Sequence, residues 1–596
     1  MPAEGEQALF KPWEARAMET AFDLVVRGGT VADGSGSPAY EADVGVKDGR
    51  IAAVGRLAGA GTEEIDARGL LVTPGFVDIH THYDGQATWD ARMQPSSWHG
   101  VTTVVMGNCG VGFAPCRPED HDRLIRLMEG VEDIPFPVLT QGLPWNWESY
   151  PDYLDALEQC RFDIDVGSQL PHAALRVFVM GERGANREPA TEADIHAMAA
   201  IARRAAEAGA LGFSTSRTLN HRTSDGQPTP TLNAGEDELT GIALGLAAAG
   251  KGVLQVVSDF ADPVEELAML RRIVERSRRP LSFSLVQSPR APGSYTTMLE
   301  WLSRANADGL PIRAQVAGRP VGILFGFELT MNPFSQHPAY AEIRDLPLAG
   351  KVERMRDPEF RRRLLAEESA ALRGFAGSQP RAWGNMWLMG EEPDYEPTAD
   401  QTVAAIAARE ERDAAEVALD HMLSRGGRGM LYLPFLNYAW QSLDPAYEML
   451  THPDCVPGLS DGGAHVGMIC DGSFPTFNIT HWTRDRTRGP KLALEQMVKA
   501  QTRDTAETVG LLDRGLIAPG YRADLNVIDY PGLKLHAPQV AYDLPAGGRR
   551  LIQRADGYVA TLVAGQVTYR DGEPTGALPG RLLRGAQSAP ARMAAE

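Results

Sequence analysis

A chain of 596 residues, 43% of them hydrophobic and 23% charged, has the apolar material for a large domain with a smaller unit beside it, and its composition excludes a disordered polymer. A net charge of −20 argues against a protein that tracks nucleic-acid phosphates, which needs a clustered basic surface. No apolar run is long enough to span a bilayer.

The first twenty residues lack the basic start, apolar centre and small-residue cleavage site of a secretory leader. The expectation is a loose arm on a cytoplasmic protein. Residues 22–73 read as short strands and turns, FDLVVRGGTVADG and then ADVGVKDGRIAAVG with a turn at Asp48-Gly49, the N-terminal part of a small β domain. Past Thr73-Pro74-Gly75 the texture changes to apolar strands alternating with helical stretches, the pattern of parallel βα units. Candidate strands lie at 76–82, 102–110, 163–172, 210–216, 252–258, 280–287, 311–317 and 455–461, with one-sided apolar helices such as 192–209 and 262–277 between them. Eight such units predict an α/β fold, a (β/α)₈ TIM barrel over 74–516 with its chemistry at the strand C-termini. The gap at 332–454 is too long for one helix and carries helical runs of its own; it is either a cover over the mouth or a peripheral packing or oligomer surface. Residues 517–583 return to β texture and are expected to rejoin 22–73 in a small β-sandwich domain built from both chain ends, with 583–596 frayed.

The chemistry-bearing positions sit where these strands end. Residues 74–84 read PGFVDIHTHYD, and because alternate residues of a strand share a face, His80 and His82 can converge on one metal ion. Asp461 closes the last candidate strand in GLSDGGAH, with two glycines behind it that permit a tight turn beside a ligand. Its plain alternative is an Asx-type turn. Cys109 ends the second strand in VVMGNCGVG; it is either inert packing or, next to a cation, a thiolate ligand. The other cysteines, Cys116, Cys160, Cys455 and Cys470, form no Cys-x-x-Cys pair and are expected to be reduced thiols. His172 closes the third strand in SQLPHAAL and is open to three roles: metal ligand, donor to a substrate carbonyl, or partner of a backbone group. Arg217 and His221, in the polar loop after the fourth strand, are either placed to touch substrate or solvated loop residues, and His465, just after Asp461, either approaches the same pocket or opens a helix. Trp383, Trp387 and Trp440 are either an apolar pocket wall or core.

At the level of motifs, the N-terminal β unit followed by PGFVDIHTHYD, then VVMGNCGVGFAP, EGVEDIP and WNWESYPDYLDAL, and later LSDGGAH, LLDRGLIAPGYRADLNVID and VAGQVTYRDGEPTGALPGRLLR, resemble the amidohydrolase superfamily and within it the D-aminoacylase, or N-acyl-D-amino-acid deacylase, family, over roughly residues 22–583. The resemblance implies a metal-dependent hydrolase of a small-molecule amide, on a barrel with a flanking β domain. It carries over His80, His82, Cys109 and Asp461 as metal ligands, and the position of Asp461 opposite the first-strand histidines also suits a proton shuttle. The chain departs from that pattern at strands five and six, where the family supplies one histidine each and this sequence reads LQVVSDF and LSFSLVQS. No lysine stands at a strand end, and the arginine-bearing stretch that follows the strand-eight aspartate in many relatives is not evident. A single divalent ion, Zn²⁺ first, is therefore expected, with Asp259, His172 or His221 as candidates to replace the missing ligands. Hydrolysis of an N-acyl-D-amino acid is the leading expectation. A cyclic amide, an ester or lactone, or a carbon–carbon bond is the second, and a non-catalytic barrel used for binding or assembly the third.

Overall fold

The computed structural model describes residues 21–367 and 381–591. All eight expected strands form one parallel sheet. They are β1 (Phe76–Asp78), β2 (Val101–Met106), β3 (Asp165–Pro171), β4 (Gly212–Arg217), β5 (Val253–Ser258), β6 (Leu281–Leu285), β7 (Ile312–Val316) and β8 (Cys455–Pro457). The first three are buried along their whole length, as parallel strands covered on both faces must be. Helices fill the crossovers for reasons visible locally. Glu192–Ala208 opens on a capping box between Thr191 and Asp194, and Pro263–Ser277 starts on Asp262, whose carboxylate accepts the Glu265 N–H.

The sheet closes at a short seam just beyond the ends of β1 and β8. There Thr81 bridges Gly462 in parallel, His82 N–H donates to Gly462 O at 2.8 Å, and Asp461 N–H donates to His80 O at 3.1 Å. Closure of the barrel therefore brings the segments that carry His80, His82 and Asp461 side by side.

Both chain ends build a second sheet of nine strands, in which Leu71–Pro74 pairs antiparallel with Leu525–Ile528. Its own core gathers Leu24, Val26, Val44, Val72, Leu525, Val527 and Leu562. Between β7 and β8 the chain leaves the barrel for a three-stranded antiparallel sheet, Val321–Phe325, Met430–Leu436 and Trp387–Met389, with a separate apolar cluster around Phe325, Phe334, Met355 and Leu431. This excursion begins at Val321, ahead of the 332 expected, because VGILF is a five-residue apolar run with no period to mark it as leaving the barrel. It is tied down by Glu396, 3% exposed, whose carboxylate accepts from Arg486 at 3.0 Å and faces His481 at 3.1 Å. Among the described residues no helix is long and apolar enough to cross a membrane.

Candidate metal centre

His80 and His82 emerge from β1 with Thr81 turned the other way, its hydroxyl donating to Val105 O. Both imidazoles are 1% exposed. The Nδ1 of His80 lies 2.7 Å from Gln315 Oε1 on β7, and Gln315 is held in that orientation because its amide nitrogen donates to Ser282 Oγ on β6. His80 Nδ1 thus carries the proton and its Nε2 faces the centre, 3.3 Å from Cys109 Sγ. The ligating atoms of His80, His82 and Cys109 all lie within 4.8 Å of one another. Cys109 itself sits at φ +54 ahead of Gly110 at +67, and its N–H donates to Gln255 Oε1 on β5. This left-handed turn swings the thiol out of the strand line and toward the barrel axis.

Asp461 completes the group, its Oδ1 3.5 Å from His80 Nε2 and 3.6 Å from His82 Nε2. It too has a left-handed backbone, φ +49, and is followed by Gly463 at φ +89, where a Cβ would meet the backbone of His82 at 3.0 Å. The glycine behind the aspartate is what lets this loop lie against β1. Asp461 Oδ1 and His82 Nδ1 are buried without a hydrogen-bond partner. The orphaned Asp461 oxygen, beside two imidazoles and a thiol, fits a divalent cation.

The electrostatics of Asp461 and His80 point the same way. Burial alone would raise the Asp461 carboxyl, but the His82 and His80 rings outweigh it and hold the group well below the usual carboxylate range. Burial brings His80 down to about 4, so it is a neutral nitrogen donor at pH 7. For His82 burial opposes protonation, yet Glu132 and Asp461 raise it well above an ordinary imidazole. Burial pushes the Cys109 thiol up to about 12, a value that a cation in contact with the sulfur would reverse.

Two groups join the centre besides the expected ligands. Glu132, at the end of the helix α1 (His121–Glu132), is 1% exposed with Oε1 3.3 Å from His82 Nδ1. His465 Nε2 lies 3.5 Å from Glu132 Oε2 and 4.0 Å from Asp461 Oδ2, as its position four residues after Asp461 had suggested. Glu132 lies within EGVEDIP, a stretch that carries the family resemblance, but nothing in its helical sequence context marks it as part of a site. His221 is bonded through Nδ1 to Ser216 Oγ at 2.8 Å, and burial together with the neighbouring His465 and His82 lowers it to about 3, so it faces the centre as a neutral ring.

Other expectations are corrected. His172 is fully buried with both ring nitrogens taken, Nδ1 2.8 Å from Thr215 Oγ1 and Nε2 2.9 Å from Glu238 Oε1, and Glu238 is also paired to Arg176 at 2.6 Å. It ties β4 to the helix Glu236–Ala249 and has no nitrogen left for metal or substrate. Arg217 spends its guanidinium on Glu266 at 2.6 Å and on Ala234 O, a helix and loop contact instead of a substrate clamp. Asp259 accepts from Thr218 Oγ1 at 2.5 Å and Leu219 N–H at 2.8 Å, so it organises a loop and does not stand in for a missing ligand. Where family members place imidazoles on strands five and six, this barrel presents Gln255, Ser282 and Ser284, all facing neighbours across the sheet or left unpaired. Trp387 is core, 3% exposed with its Nε1–H on Thr398 O at 2.8 Å, and Trp440 is 54% exposed.

The profile of the amidohydrolase family matches residues 63–569. An uncharacterised protein of Mycobacterium tuberculosis is 29% identical over 93% of this chain and 92% of its own length. The N-acyl-D-aspartate deacylase of Alcaligenes xylosoxydans xylosoxydans is 33% identical over 48% of this chain and 54% of its own. Among solved structures, a D-aminoacylase studied for a binuclear metal centre with one-metal activation and second-metal attenuation superposes with a TM-score of 0.63, 25% identical, covering 94% of this chain and all of that one. With a parallel barrel and a profile match over most of its length, the chain belongs to the amidohydrolase family, in its D-aminoacylase branch.

Proposed function

We propose that this protein is a metal-dependent hydrolase that cleaves the amide bond of an N-acylated D-amino acid, working with a single divalent ion, Zn²⁺ first. The observation that carries the reading is the buried group of His80, His82 and Cys109 at the barrel seam, with Asp461 beside it and its Oδ1 buried and unpartnered. Imidazole, thiolate and carboxylate in one site are the donors zinc prefers. The single ion is supported by the absence of imidazoles on β5 and β6, where Gln255 and Ser282 stand, and is compatible with the one-metal activation of the D-aminoacylase named above.

Bound at this site, a divalent ion polarises a carbonyl and makes water acidic enough to ionise near pH 7. Asp461 is the base: held anionic chiefly by His82, it takes the proton from the attacking water and returns it to the nitrogen as the C–N bond breaks. The attack builds negative charge on the former carbonyl oxygen, and His221 is the neutral ring placed to meet it. With Ser216 Oγ–H donating to its Nδ1, the Nε2–H is free to donate to that oxygen. Barrel and ligands explain the reaction class; the preference for the D-configured N-acyl substrate rests on the deacylase relatives.

The test is a screen of purified, Zn²⁺-loaded protein against N-acyl-D-amino acids, N-acyl-L-amino acids, cyclic amides and esters. The expected outcome is turnover of the N-acyl-D compounds, lost on chelation and in His80→Ala. Preferential turnover of a cyclic amide or ester would replace the substrate assignment, and activity that survives both chelation and His80→Ala would end the reading.

A further inference from the structure

One carboxylate in the centre has no role in the scheme above. Glu132 closes α1 and its side chain lies between two imidazoles, Oε1 3.3 Å from His82 Nδ1 and Oε2 3.5 Å from His465 Nε2. It is 1% exposed, and both His82 Nδ1 and Glu132 Oε2 lack a hydrogen-bond partner. An ionised group is expensive to bury at such a place unless its neighbours use it.

The backbone around it is built to hold it there. Asp133 ends the helix in the left-handed region at φ +53, and its carboxylate accepts from Thr330 Oγ1 at 2.8 Å and from Gly467 N–H at 3.0 Å. The His465 N–H donates to the Glu132 carbonyl, and His465 is itself left-handed at φ +49. The end of α1 and the loop after β8 are thus stitched together on both sides of Glu132.

We propose that Glu132 is the positioning residue of the metal centre: it accepts the Nδ1–H of His82, fixing the tautomer that presents Nε2 to the ligand group, and with its other oxygen it keeps His465 against Asp461. The inference rests on the metal-dependent reading above. His80 is served in the same way by a neutral partner, Gln315, whereas His82 receives a charged one, which makes it the more basic of the two nitrogen donors. With amides and hydroxyls on β5 and β6, this imidazole pair has a larger share of the ion to hold than in a centre with four rings. The reading also accounts for a feature no ligand list explains, a helix terminus fastened to the seam.

Glu132→Gln and Glu132→Leu, prepared as full-length protein, decide the matter through metal binding and not only through turnover. Zn²⁺ affinity is measured by competition with a chelator, the Co²⁺-substituted proteins are compared by visible absorption, and the thermal midpoint of each metal-free protein monitors folding. The expected result is a 10- to 100-fold loss of Zn²⁺ affinity with a changed Co²⁺ spectrum, while the metal-free Glu132→Gln midpoint stays near that of the parent. If the leucine variant does not fold, the glutamine variant alone decides. Parent-like affinity and spectrum in Glu132→Gln, even with a lowered midpoint, would show a merely structural group and overturn this inference alone. Failure of the parent protein to bind Zn²⁺ or Co²⁺ would overturn it together with the proposed function.

Discussion

At the scale of single residues, the centre concentrates costs that only a function repays. Cys109, Asp461 and His465 all occupy the left-handed backbone region without being glycine, each at about 1–3 kcal/mol, and each side chain so placed points at the same few atoms. Asp461 carries the sharpest expectation. As proton carrier, its replacement in Asp461→Asn should lower kcat by about 10²–10⁴-fold with the circular dichroism of the parent retained; a variant keeping about a tenth of parental turnover would be too active for that role. Strand-end position marked out His80, His82, Cys109 and Asp461, which the fold gathers at one point, because a polar side chain at the end of an apolar run has few packing reasons to be there. The same signal misled at His172, whose fate is decided by Glu238 on a helix more than sixty residues away. Glu132 was hidden for the opposite reason. It looks like one more acidic residue on an amphipathic helix until the left-handed turn at Asp133 and the loop after β8 bury it.

At the scale of elements, β-branched and apolar runs announced all eight barrel strands, yet β1 and β8 end at Asp78 and Pro457, short of the 82 and 461 expected. The ladder stops where the seam begins, and there the backbone bends to aim ligands instead of continuing the pleat. The approach to β2 is fixed by a different device. His99 ends the short turn Ser96–His99, with Nε2–H donating to Gln553 O at 3.0 Å and Nδ1 2.8 Å from Thr476 Oγ1, so one ring ties the barrel to both later segments. Burial brings its pKa down to about 3. The folded chain therefore refuses a proton that the unfolded chain accepts near pH 6.5. This tie is fully effective above that pH, and stability drains away as the pH falls from about 6.5 toward 3. Relative to His99→Gln, which cannot take up a proton in either state, the parent should lose about 2 kcal/mol more between pH 7 and pH 5, read from urea midpoints at the two pH values. Parallel pH profiles for the two proteins would mean that His99 takes up its proton in the fold as readily as in the unfolded chain.

At the scale of the whole molecule, catalysis and assembly sit at opposite ends of the barrel. The metal centre lies past the C-terminal ends of the strands, while Asp165, which opens β3, lies at the N-terminal end and receives two guanidiniums from the segment leading into the chain-end sheet. Arg514 Nη1 is 2.8 Å from its Oδ2 and Arg522 Nη2 2.9 Å from its Oδ1, with Asp513 and Asp524 completing a network that is almost wholly buried. Conserving such ions costs desolvation, so the network adds less net stability than its distances suggest, but removing one partner strands the others. Asp165→Asn leaves Arg514 and Arg522 facing a neutral amide, and the expected cost is about 3–5 kcal/mol, seen as a lower urea midpoint at neutral pH. Because strand termini at the far end of a TIM barrel serve stability and not chemistry, kcat per folded molecule and Zn²⁺ affinity should be those of the parent. Loss of metal or of kcat at unchanged stability would show that the two ends are coupled through β3, and the division of labour drawn from the strand direction would have to be given up.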